Sequence, residues 1–247
     1  MEEEKRTVRA VERALDILLC FAKKPEWGLT EISAQVGLHK STVFRLLATL
    51  EERGFVVRDE ASEKYRLGLR ILELSANFAR EDDLSVILLP EMERLRDEID
   101  ETVSLYVRDG HERVRIQAVQ SAQPIRRVAT VGARLPLSVG ASSKVLLAFA
   151  DPAVRNEVLN DPSWPETVDK QKFLEQLEGI VAAGYATSFE EREPGAAAIS
   201  APIFNRSGKL VAALAVSGPS NRLTYEEMLK HLPAILEAAR RMGALVG

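Results

Sequence analysis

The segment from residue 30 to residue 68 constrains the fold more than any other part of this 247-residue chain. It reads TEISAQVGLHKSTVFRLLATLEERGFVVRDEASEKYRLG. Thr30 is a good helix N-cap, and Gly37 suits a tight turn between two short helices because a positive φ costs glycine no steric penalty. After Gly54 the apolar pattern changes from a helical period to the alternation of strands, which predicts a hairpin. Two helices, a turn and a hairpin indicate a winged helix-turn-helix, whose second helix lies in the major groove of DNA.

The second helix of this motif has one apolar and one polar face. Its apolar residues recur at i, i+3, i+4 and i+7 and predict the buried face: Val43, Leu46, Leu47 and Leu50. The opposite face is short, polar and cationic at its N-terminal end, where hydroxyls and cations reach base edges and backbone N–H groups meet phosphates. The residues of this end are therefore the best candidates for DNA contact: Lys40, Ser41, Thr42 and Arg45.

Further residues complete the predicted DNA surface. The outward cations of the hairpin are assigned to the DNA backbone, and they are Arg58, Lys64 and Arg66. Arg9, near the start of a preceding helix, either reaches a neighbouring groove or is solvated, and Thr30 is added at the first helix of the motif. Phe44 either packs under the N-terminal arm, which we favour, or touches a thymine methyl group. Two helices joined by a glycine also occur in ordinary bundles, but the hairpin and the flanking helix favour DNA binding.

The net charge of −4 is unevenly distributed along the chain. Residues 1–80 hold 14 Lys and Arg against 13 Asp and Glu, whereas the remainder holds 19 against 24. A sequence-specific DNA-binding protein needs a local basic surface, and an acidic remainder suppresses indiscriminate binding. The charge is therefore compatible with a DNA-binding protein.

The sequence gives no sign of a membrane segment, a metal site or a cofactor. A charged N-terminus precedes an amphipathic helix rather than an apolar signal core, which predicts a cytoplasmic protein. Cys20 lies in an apolar segment and is expected to be a buried, inert thiol. The histidines are scattered without metal-ligand spacing, at positions His39, His111 and His231. We therefore expect no metal and no cofactor.

Two further amphipathic segments flank the motif. A helix over residues 8–23 is predicted to face the core with the stripe Val11, Ala14, Leu15, Leu18, Leu19 and Ala22. After the hairpin, the spacing of four apolar residues predicts a helix with a narrow apolar seam, which requires a packing partner. These residues are Leu67, Ile71, Leu74 and Phe78. An acidic step at 81–83 marks a boundary. We thus expect a DNA-binding domain at 1–68, a linker helix at 69–83 and a second domain at 84–247.

The second domain mixes helices and strands. A helix bent at Pro90 is followed by a hairpin around Asp109 and Gly110. Further strands are predicted near 126–131, 186–190, 196–204 and 210–217, and helices near 142–150, 152–159, 169–183 and 225–245, the last interrupted at Pro233. The pattern predicts an α+β domain with a largely antiparallel sheet.

Four stretches together resemble the IclR-type bacterial transcriptional regulators over nearly the whole chain. They are VERALDILLCF, STVFRLLATLEERGFVVRD with YRLG, LPLSVGASSKVLLAF, and GYATSFEEREPGAAAISAPIFNRSGKLVAALAVSGP. The resemblance implies a GAF-like effector domain and homodimers, or dimers of dimers, on palindromic operators in double-stranded DNA. It also implies a small-molecule effector, often an organic or aromatic acid, that alters DNA binding.

The resemblance also places the effector site. The loop from Val139 to Ser143 resembles the family's ligand-cradling turn, and its small residues at a helix start would present N–H groups to an anion. Tight helix–sheet packing is the alternative. The effector-binding candidates are Val139, Gly140, Ala141, Ser142, Phe189, Glu190, Ala198, Ala215 and Ser217. Some family members have an acidic residue near Ser188 and a cysteine near Ala198, whereas this chain has a hydroxyl and a methyl group at these positions. We therefore expect a pocket more apolar than theirs and, as the effector, an aromatic or longer acid.

The resulting hypothesis is a ligand-responsive transcriptional regulator, a repressor of a catabolic operon, and not an enzyme. The alternative is an enzyme built on the second domain, with the helix-turn-helix used for protein contacts. Its acid–base groups would have to be Glu190, Glu191 or Glu193, but adjacent strand residues point to opposite faces, which favours a solvated acidic edge. A purely architectural DNA-binding protein is disfavoured by the size of the second domain.

Overall fold

The computed structural model describes residues 7–76 and 83–247 and contains two compact units, Met1–Arg80 and Glu81–Gly247. Phe78, Glu81 and Asp82, which the sequence placed in the linker seam and at the boundary, lie outside the described residues. Within the described ranges, no helix has the length and apolar composition needed to cross a bilayer.

The first unit is a winged helix-turn-helix, as predicted. Its elements are α1 (Arg9–Cys20), α2 (Leu29–Val36), α3 (Lys40–Glu52), β1 (Val56–Arg58), β2 (Tyr65–Leu67) and α4 (Leu69–Ala76). Gly37 ends α2 with a φ of 65°, the left-handed turn that the sequence anticipated. The strands β1 and β2 pair antiparallel, and Val57 lies opposite Arg66. The inward face of α3 is confirmed, since Val43, Leu47 and Leu50 are buried and Leu46 packs against them.

The predicted inward face of α1 is only partly correct. The buried residues at this end of the chain are Ile17, Cys20 and Phe21. Two residues of the predicted stripe, Ala14 and Leu18, pack against this core, whereas its other four face outward, and Leu15 and Leu19 are 53% and 66% exposed. Helix α1 has apolar residues on two faces, and only one of them packs against α2 and α3. The other face is an exposed apolar row, which we call the outer row of α1: Val8, Val11, Leu15 and Leu19.

The prediction that Thr30 caps the first helix of the motif is also wrong. Helix α2 begins at Leu29, and Gly28 is its N-cap. The carboxylate of Glu31 accepts a hydrogen bond of 2.7 Å from the Gly28 backbone N–H and a second, charged one of 2.6 Å from Lys24. These bonds lower the pKa of Glu31, the Lys24 bond most. The carboxylate of Glu31, in the first turn, thus stabilises the start of α2. The sequence had suggested the Thr30 hydroxyl for this role.

The second unit has the predicted α+β composition. Its elements are α5 (Leu84–Ile87), α6 (Leu89–Ile99), β3 (Thr102–Asp109), β4 (Glu112–Val119), β5 (Arg134–Pro136), α7 (Ala141–Ala148), α8 (Pro152–Leu159), α9 (Lys170–Ala183), β6 (Ala186–Phe189), β7 (Ala196–Phe204), β8 (Leu210–Pro219) and α10 (Tyr225–Leu245). The six strands form one sheet in the order β5-β4-β3-β8-β7-β6, and every neighbouring pair is antiparallel.

The sheet lies between two helical layers. Helices α6 and α10 cover one face, where Leu105, Ile199 and Leu214 are fully buried. Helices α7 and α9 cover the other face, where Tyr106 and Ala215 belong to a second core. Successive strand residues point to opposite faces, so neighbouring positions such as Leu105 and Tyr106 serve different cores. The second core surrounds the N-terminus of α7.

Three details of the second unit depend on prolines and loops. Pro90 stands in the first turn of α6, and the predicted bend is a break at Leu88 between α5 and α6. Pro233 lies inside α10, which continues through it, so the predicted interruption is wrong. No strand forms at 126–131. The edge strand there is β5, which pairs Leu135 with Arg113.

Candidate functional site

The first candidate site is the exposed face at the start of α3. Lys40, Ser41 and Arg45 are exposed, and Thr42 is half-buried. His39 is the N-cap residue, no side chain caps the helix, and its first turn contains no acidic residue. The orphan N–H groups and the positive end of the helix dipole therefore meet no competing anion from within the helix. This surface has the properties that contact with phosphates and base edges requires.

Phe44 lies on the same exposed side of α3. It is 50% exposed. Residues 1–6 of the N-terminal arm lie outside the described residues, so packing under the arm and contact with a thymine methyl group both stay predictions.

The basic residues of the hairpin are less free than the sequence suggested. Arg58 forms an ion pair of 2.9 Å with Glu63, and Lys64 lies 3.9 Å from Glu26. Arg66 is exposed on β2. These pairs are solvent-exposed and worth little, so phosphates can replace the carboxylates at small cost. The acidic turn is closed by Asp59, whose carboxylate accepts hydrogen bonds from the backbone and hydroxyl of Ser62.

Two predicted DNA contacts lie elsewhere in the first unit. Arg9 is the first residue of α1, and Thr30 is the second residue of α2, and both are exposed.

The second candidate site is a cavity of about 50 Å³ at the N-terminus of α7. It is lined by Tyr106, Arg113, Arg115, Arg127, Gly140, Ala141, Ser142, Ser188, Arg192, Ala196, Ala197, Ala198, Ala215 and Ser217. Gly140 is the N-cap of α7 with a φ of 96° and a ψ of 156°, and as a glycine it offers no side chain to cap the helix. Such backbone angles are essentially restricted to glycine. The cavity therefore combines a helix N-terminus with four arginines.

Arg113 is buried directly beneath Gly140. A Cβ atom on Gly140 would lie 3.0 Å from both terminal nitrogens of Arg113. The guanidinium donates to the Val139 carbonyl at 3.1 Å and to the Ser143 hydroxyl at 2.5 Å, but its Nε has no partner. Burial lowers the pKa of Arg113 to about 10, and the nearby cations Arg192 and Arg115 act in the same direction. This side chain is a buried cation with hydrogen-bonding capacity to spare.

Arg115 is the second buried cation of the cavity. Its guanidinium donates to the Tyr106 hydroxyl, at 2.9 Å from Nε, and to the Thr130 carbonyl at 3.1 Å. Both Arg113 and Arg115 lie against the ring of Tyr106, with guanidinium carbons 5.2 and 5.0 Å from its centre. Among the described residues, neither arginine forms an ion pair with a carboxylate. Their hydrogen-bond partners are neutral, and the carboxylate of Glu191 offsets the charge of Arg113 only in part.

Carboxylates do compensate the cations at the rim. Glu193 contacts Arg127 and lies 3.5 Å from Arg192. Glu191 forms an ion pair of 2.6 Å with the buried Lys144 and accepts a 3.3 Å hydrogen bond from the Gly140 N–H. These two glutamates belong to the segment interpreted from the sequence as a solvated acidic edge. They instead hold cations around the cavity.

The structure brings six of the nine predicted effector-binding residues to this cavity. These six are Gly140, Ala141, Ser142, Ala198, Ala215 and Ser217. The other three do not line it. Val139 turns its carbonyl to Arg113, Phe189 is 50% exposed at the end of β6, and Glu190 accepts a hydrogen bond from Ser220. Phe189 follows Ser188, which does line the cavity, and alternation along the strand sends the two side chains to opposite faces.

The four arginines of the cavity were not predicted from the sequence, and the expectation of a pocket more apolar than in some family members stays a prediction. Arg113 and Arg115 are two residues apart on β4 and therefore share a face of the strand. Alternating arginines ordinarily indicate a solvated face, whereas here that face is covered by α7. The signal that was available is the pair itself, next to a loop already predicted to bind an anion.

Two other potentially reactive side chains, Cys20 and His111, lie outside both candidate sites. Cys20 is buried, its thiol contacts the Asp16 carbonyl, and burial raises its pKa, as expected of an inert thiol. His111 lies 2.7 Å from Asp161 and 3.2 Å from Glu157. Throughout residues 7–76 and 83–247, no group of three or more His, Cys, Asp or Glu side chains has a metal-binding arrangement.

Both units match known protein families. Residues 10–60 match the IclR helix-turn-helix domain, and residues 77–244 match the bacterial transcriptional regulator IclR C-terminal domain. The chain is 33% identical to the HTH-type transcriptional regulator KipR of Bacillus subtilis, over 97% of each chain. It is 31% identical to the HTH-type transcriptional repressor AllR of Escherichia coli, over 97% of this chain and 90% of AllR. A crystal structure of an IclR homolog from Microbacterium hydrocarbonoxydans, complexed with 4-hydroxybenzoate, has a TM-score of 0.79 and 25% identity, and the match covers 95% of this chain and 98% of that one.

Proposed function

Because the chain belongs to the IclR family of bacterial transcriptional regulators, whose members bind DNA and are not enzymes, we propose that it represses a catabolic operon in response to a small organic acid, aromatic acids included. The single observation that carries the effector half of this proposal is the cavity at α7, where arginines and a helix N-terminus converge. An acid is the ligand that these groups recognise. The homolog bound to 4-hydroxybenzoate supports the same class.

Operator binding is assigned to the first unit. The exposed start of α3 supplies the base contacts, and its residues are Lys40, Ser41, Thr42 and Arg45. Arg9, Thr30, Arg58, Lys64 and Arg66 are proposed to contact the DNA backbone. The exposed basic and hydroxyl side chains, with no acidic residue in the first turn of α3, support this assignment.

We propose a homodimer, or a dimer of dimers, on a palindromic operator with half-sites about one helical turn apart. Two exposed apolar surfaces within the first unit support a second copy as the partner. One is the outer row of α1, and the other lies on α4, where Leu69 and Leu72 are one turn apart and more than half exposed. Apolar rows of this kind on a DNA-binding unit are typical of helices that pair between subunits. The division into domains at 1–68, 69–83 and 84–247 and the GAF-like designation of the last are part of the same proposal.

Regulation requires that the acid change operator affinity. A coupling free energy of about 1–3 kcal/mol, which corresponds to roughly a 5- to 150-fold change in affinity, is sufficient. We place the ligand-dependent change in the loop around Ala141 and Ser142, because these residues open α7 at the cavity wall.

The first experiment measures binding of the full chain to its own upstream promoter by gel shift and footprinting, with and without a panel of organic acids. Wild type should protect a palindrome, and one acid should change the affinity at least about fivefold. The double variant Lys40→Ala with Arg45→Ala should lose operator binding and retain acid binding. Arg240→Ala removes a cation at an exposed position of α10, outside both candidate sites, and as the control should change neither. A promoter ignored by wild type, or an operator affinity unchanged across the panel, would contradict the proposal.

A further inference from the structure

The charges around the cavity do not balance when it is empty. Four guanidinium groups line it, from Arg113, Arg115, Arg127 and Arg192. A single carboxylate, that of Glu193, is shared by the last two. Lys144 and Glu191 neutralise each other beside the cavity. Among the described residues around the cavity, the arginines therefore exceed the carboxylates paired with them by three positive charges.

Two of the four arginines that contribute to this excess positive charge are buried. Arg113 and Arg115 are 3% and 5% exposed, so water screens them poorly. The lowered pKa of Arg113 is the physical sign of that unfavourable environment. Its unpartnered Nε is a donor still to be satisfied, since buried donors are nearly always paired in folded proteins.

A second buried polar atom near the cavity also lacks a partner. The hydroxyl of Ser104 has no hydrogen bond, and Ser104 lies on the same face of β3 as Tyr106, in register with Ala215 of β8. Both of these neighbours line the cavity. Buried polar atoms without a partner therefore occur on two neighbouring strands, Arg113 Nε in the cavity wall on β4 and the Ser104 hydroxyl on β3 beside cavity-lining residues.

A ligand with one carboxylate would leave most of the excess charge in place. We infer that the effector of this chain is a compact organic dianion carrying two acid groups, such as a dicarboxylate. This inference rests on the proposed function, because it specifies the ligand of the same cavity. One acid group meets the N-terminus of α7 and Arg113, and the second meets Arg115 with the arginines at the rim. The volume of about 50 Å³ limits the skeleton that joins them to a few atoms, because a water alone needs about 10–15 Å³ on this scale.

The test compares diacids with an amide or a monoacid built on the same carbon skeleton that carries one charge less, by isothermal titration against the full chain. Succinate is compared with its monoamide, succinamate, and with butyrate, and phthalate is compared with benzoate. In at least one series the diacid should bind at least about tenfold more tightly than its monoacid, because a lost charge-assisted hydrogen bond costs about one order of magnitude. This series uses wild-type protein, so it does not depend on whether a variant folds.

Variants of opposite sign separate charge from packing. Arg115→Gln should weaken binding of the preferred diacid about tenfold or more, whereas Glu193→Gln, which releases Arg127 and Arg192, should strengthen it. Arg134→Gln, an exposed arginine paired with Asp109 and Glu112 outside the cavity, is the control and should leave binding unchanged.

The outcomes are distinguishable. Monoacids that bind as tightly as diacids in both series and still shift operator affinity would overturn the dianion inference and leave the proposed function standing. Weaker binding by Glu193→Gln would likewise overturn it. If no mono- or diacid binds or shifts operator affinity, both the inference and the effector half of the proposed function fail.

Discussion

Replacing Arg113 with methionine should stabilise the free protein and weaken its binding of an acid. Burial lowers the pKa of this guanidinium to about 10, below its ordinary value. Because its pKa is lowered, the guanidinium of Arg113 binds its proton less tightly in the folded protein than in the unfolded chain. The buried charge is therefore destabilising at every pH below about 10, and the cost is relieved as the pH rises beyond that value.

The magnitude follows from this shift. At about 1.4 kcal/mol for each pH unit, the charged form costs about 3 kcal/mol of folding free energy at neutral pH. Against this stands the loss of the hydrogen bonds to Val139 and Ser143, worth about 1 kcal/mol each. Ser143 keeps its bond of 2.9 Å to the Pro136 carbonyl, which limits that loss. Since methionine fills the space of the arginine stem with a flexible apolar chain, we expect a net gain of about 1–2 kcal/mol.

The measurement is urea unfolding of the full chain at pH 7.5, followed by the fluorescence of Trp164, which is buried in the second unit. All variants carry Trp27→Phe, so that only the second unit is observed. Arg134→Met is the matched control. Hydrogen bonds to Glu112 and Asp109 raise the pKa of Arg134, so its loss should destabilise, by less than about 1 kcal/mol because the pairs are exposed.

Two results would refute this reasoning. One is an Arg113→Met variant less stable than its parent, which would mean that the hydrogen bonds of the guanidinium outweigh the cost of burying its charge. The other is unchanged affinity for the preferred acid, which would remove Arg113 from the ligand site whatever its effect on stability.

Three further predictions concern other parts of the molecule. Gly140→Ala should destabilise the second unit by about 1–3 kcal/mol and abolish acid binding in calorimetry, because the new methyl group displaces Arg113, whereas Gly184→Ala, also at positive φ but with open space around it, should keep full acid binding. Leu15→Ser should shift the protein towards monomers in sedimentation, and an unchanged dimer would exclude the outer row of α1 from the interface. Arg66→Ala should lower the slope of log affinity against log salt by about 1, and an equal slope would remove Arg66 from the phosphate contacts.

The helix-turn-helix could be predicted in detail because its signals are local. Apolar spacing identified the buried face of α3, and Gly37 identified the turn. The face of α1 could not be identified this way, since Ile17 and Cys20 compete with Leu15 and Leu19 along one helix and periodicity does not say which row has a partner. The N-cap of α2 lies two residues before the predicted Thr30, at Gly28, because the Glu31 carboxylate accepts the hydrogen bond from the Gly28 backbone N–H.

The effector cavity was only half predictable. Its helix N-terminus is a local feature of small residues, and the sequence indicated Gly140 to Ser142 directly. Its arginines come from β4 and from connections far along the chain, and their burial depends on α7 covering that face of the sheet. A side chain such as Arg115 is recognisable as a ligand group only after the tertiary structure has removed it from water.

The connection between β6 and β7, residues 190–195, carries two carboxylates that bind groups around the cavity. Glu193 pairs with Arg127 and Arg192, and Glu191 accepts a hydrogen bond from the N–H of Gly140 at the start of α7. An incoming acid competes for the same donors, so the anchoring of this connection should alternate with occupancy. Its amide hydrogen exchange should accelerate as the effector binds, which gives the otherwise buried event a readout at the protein surface.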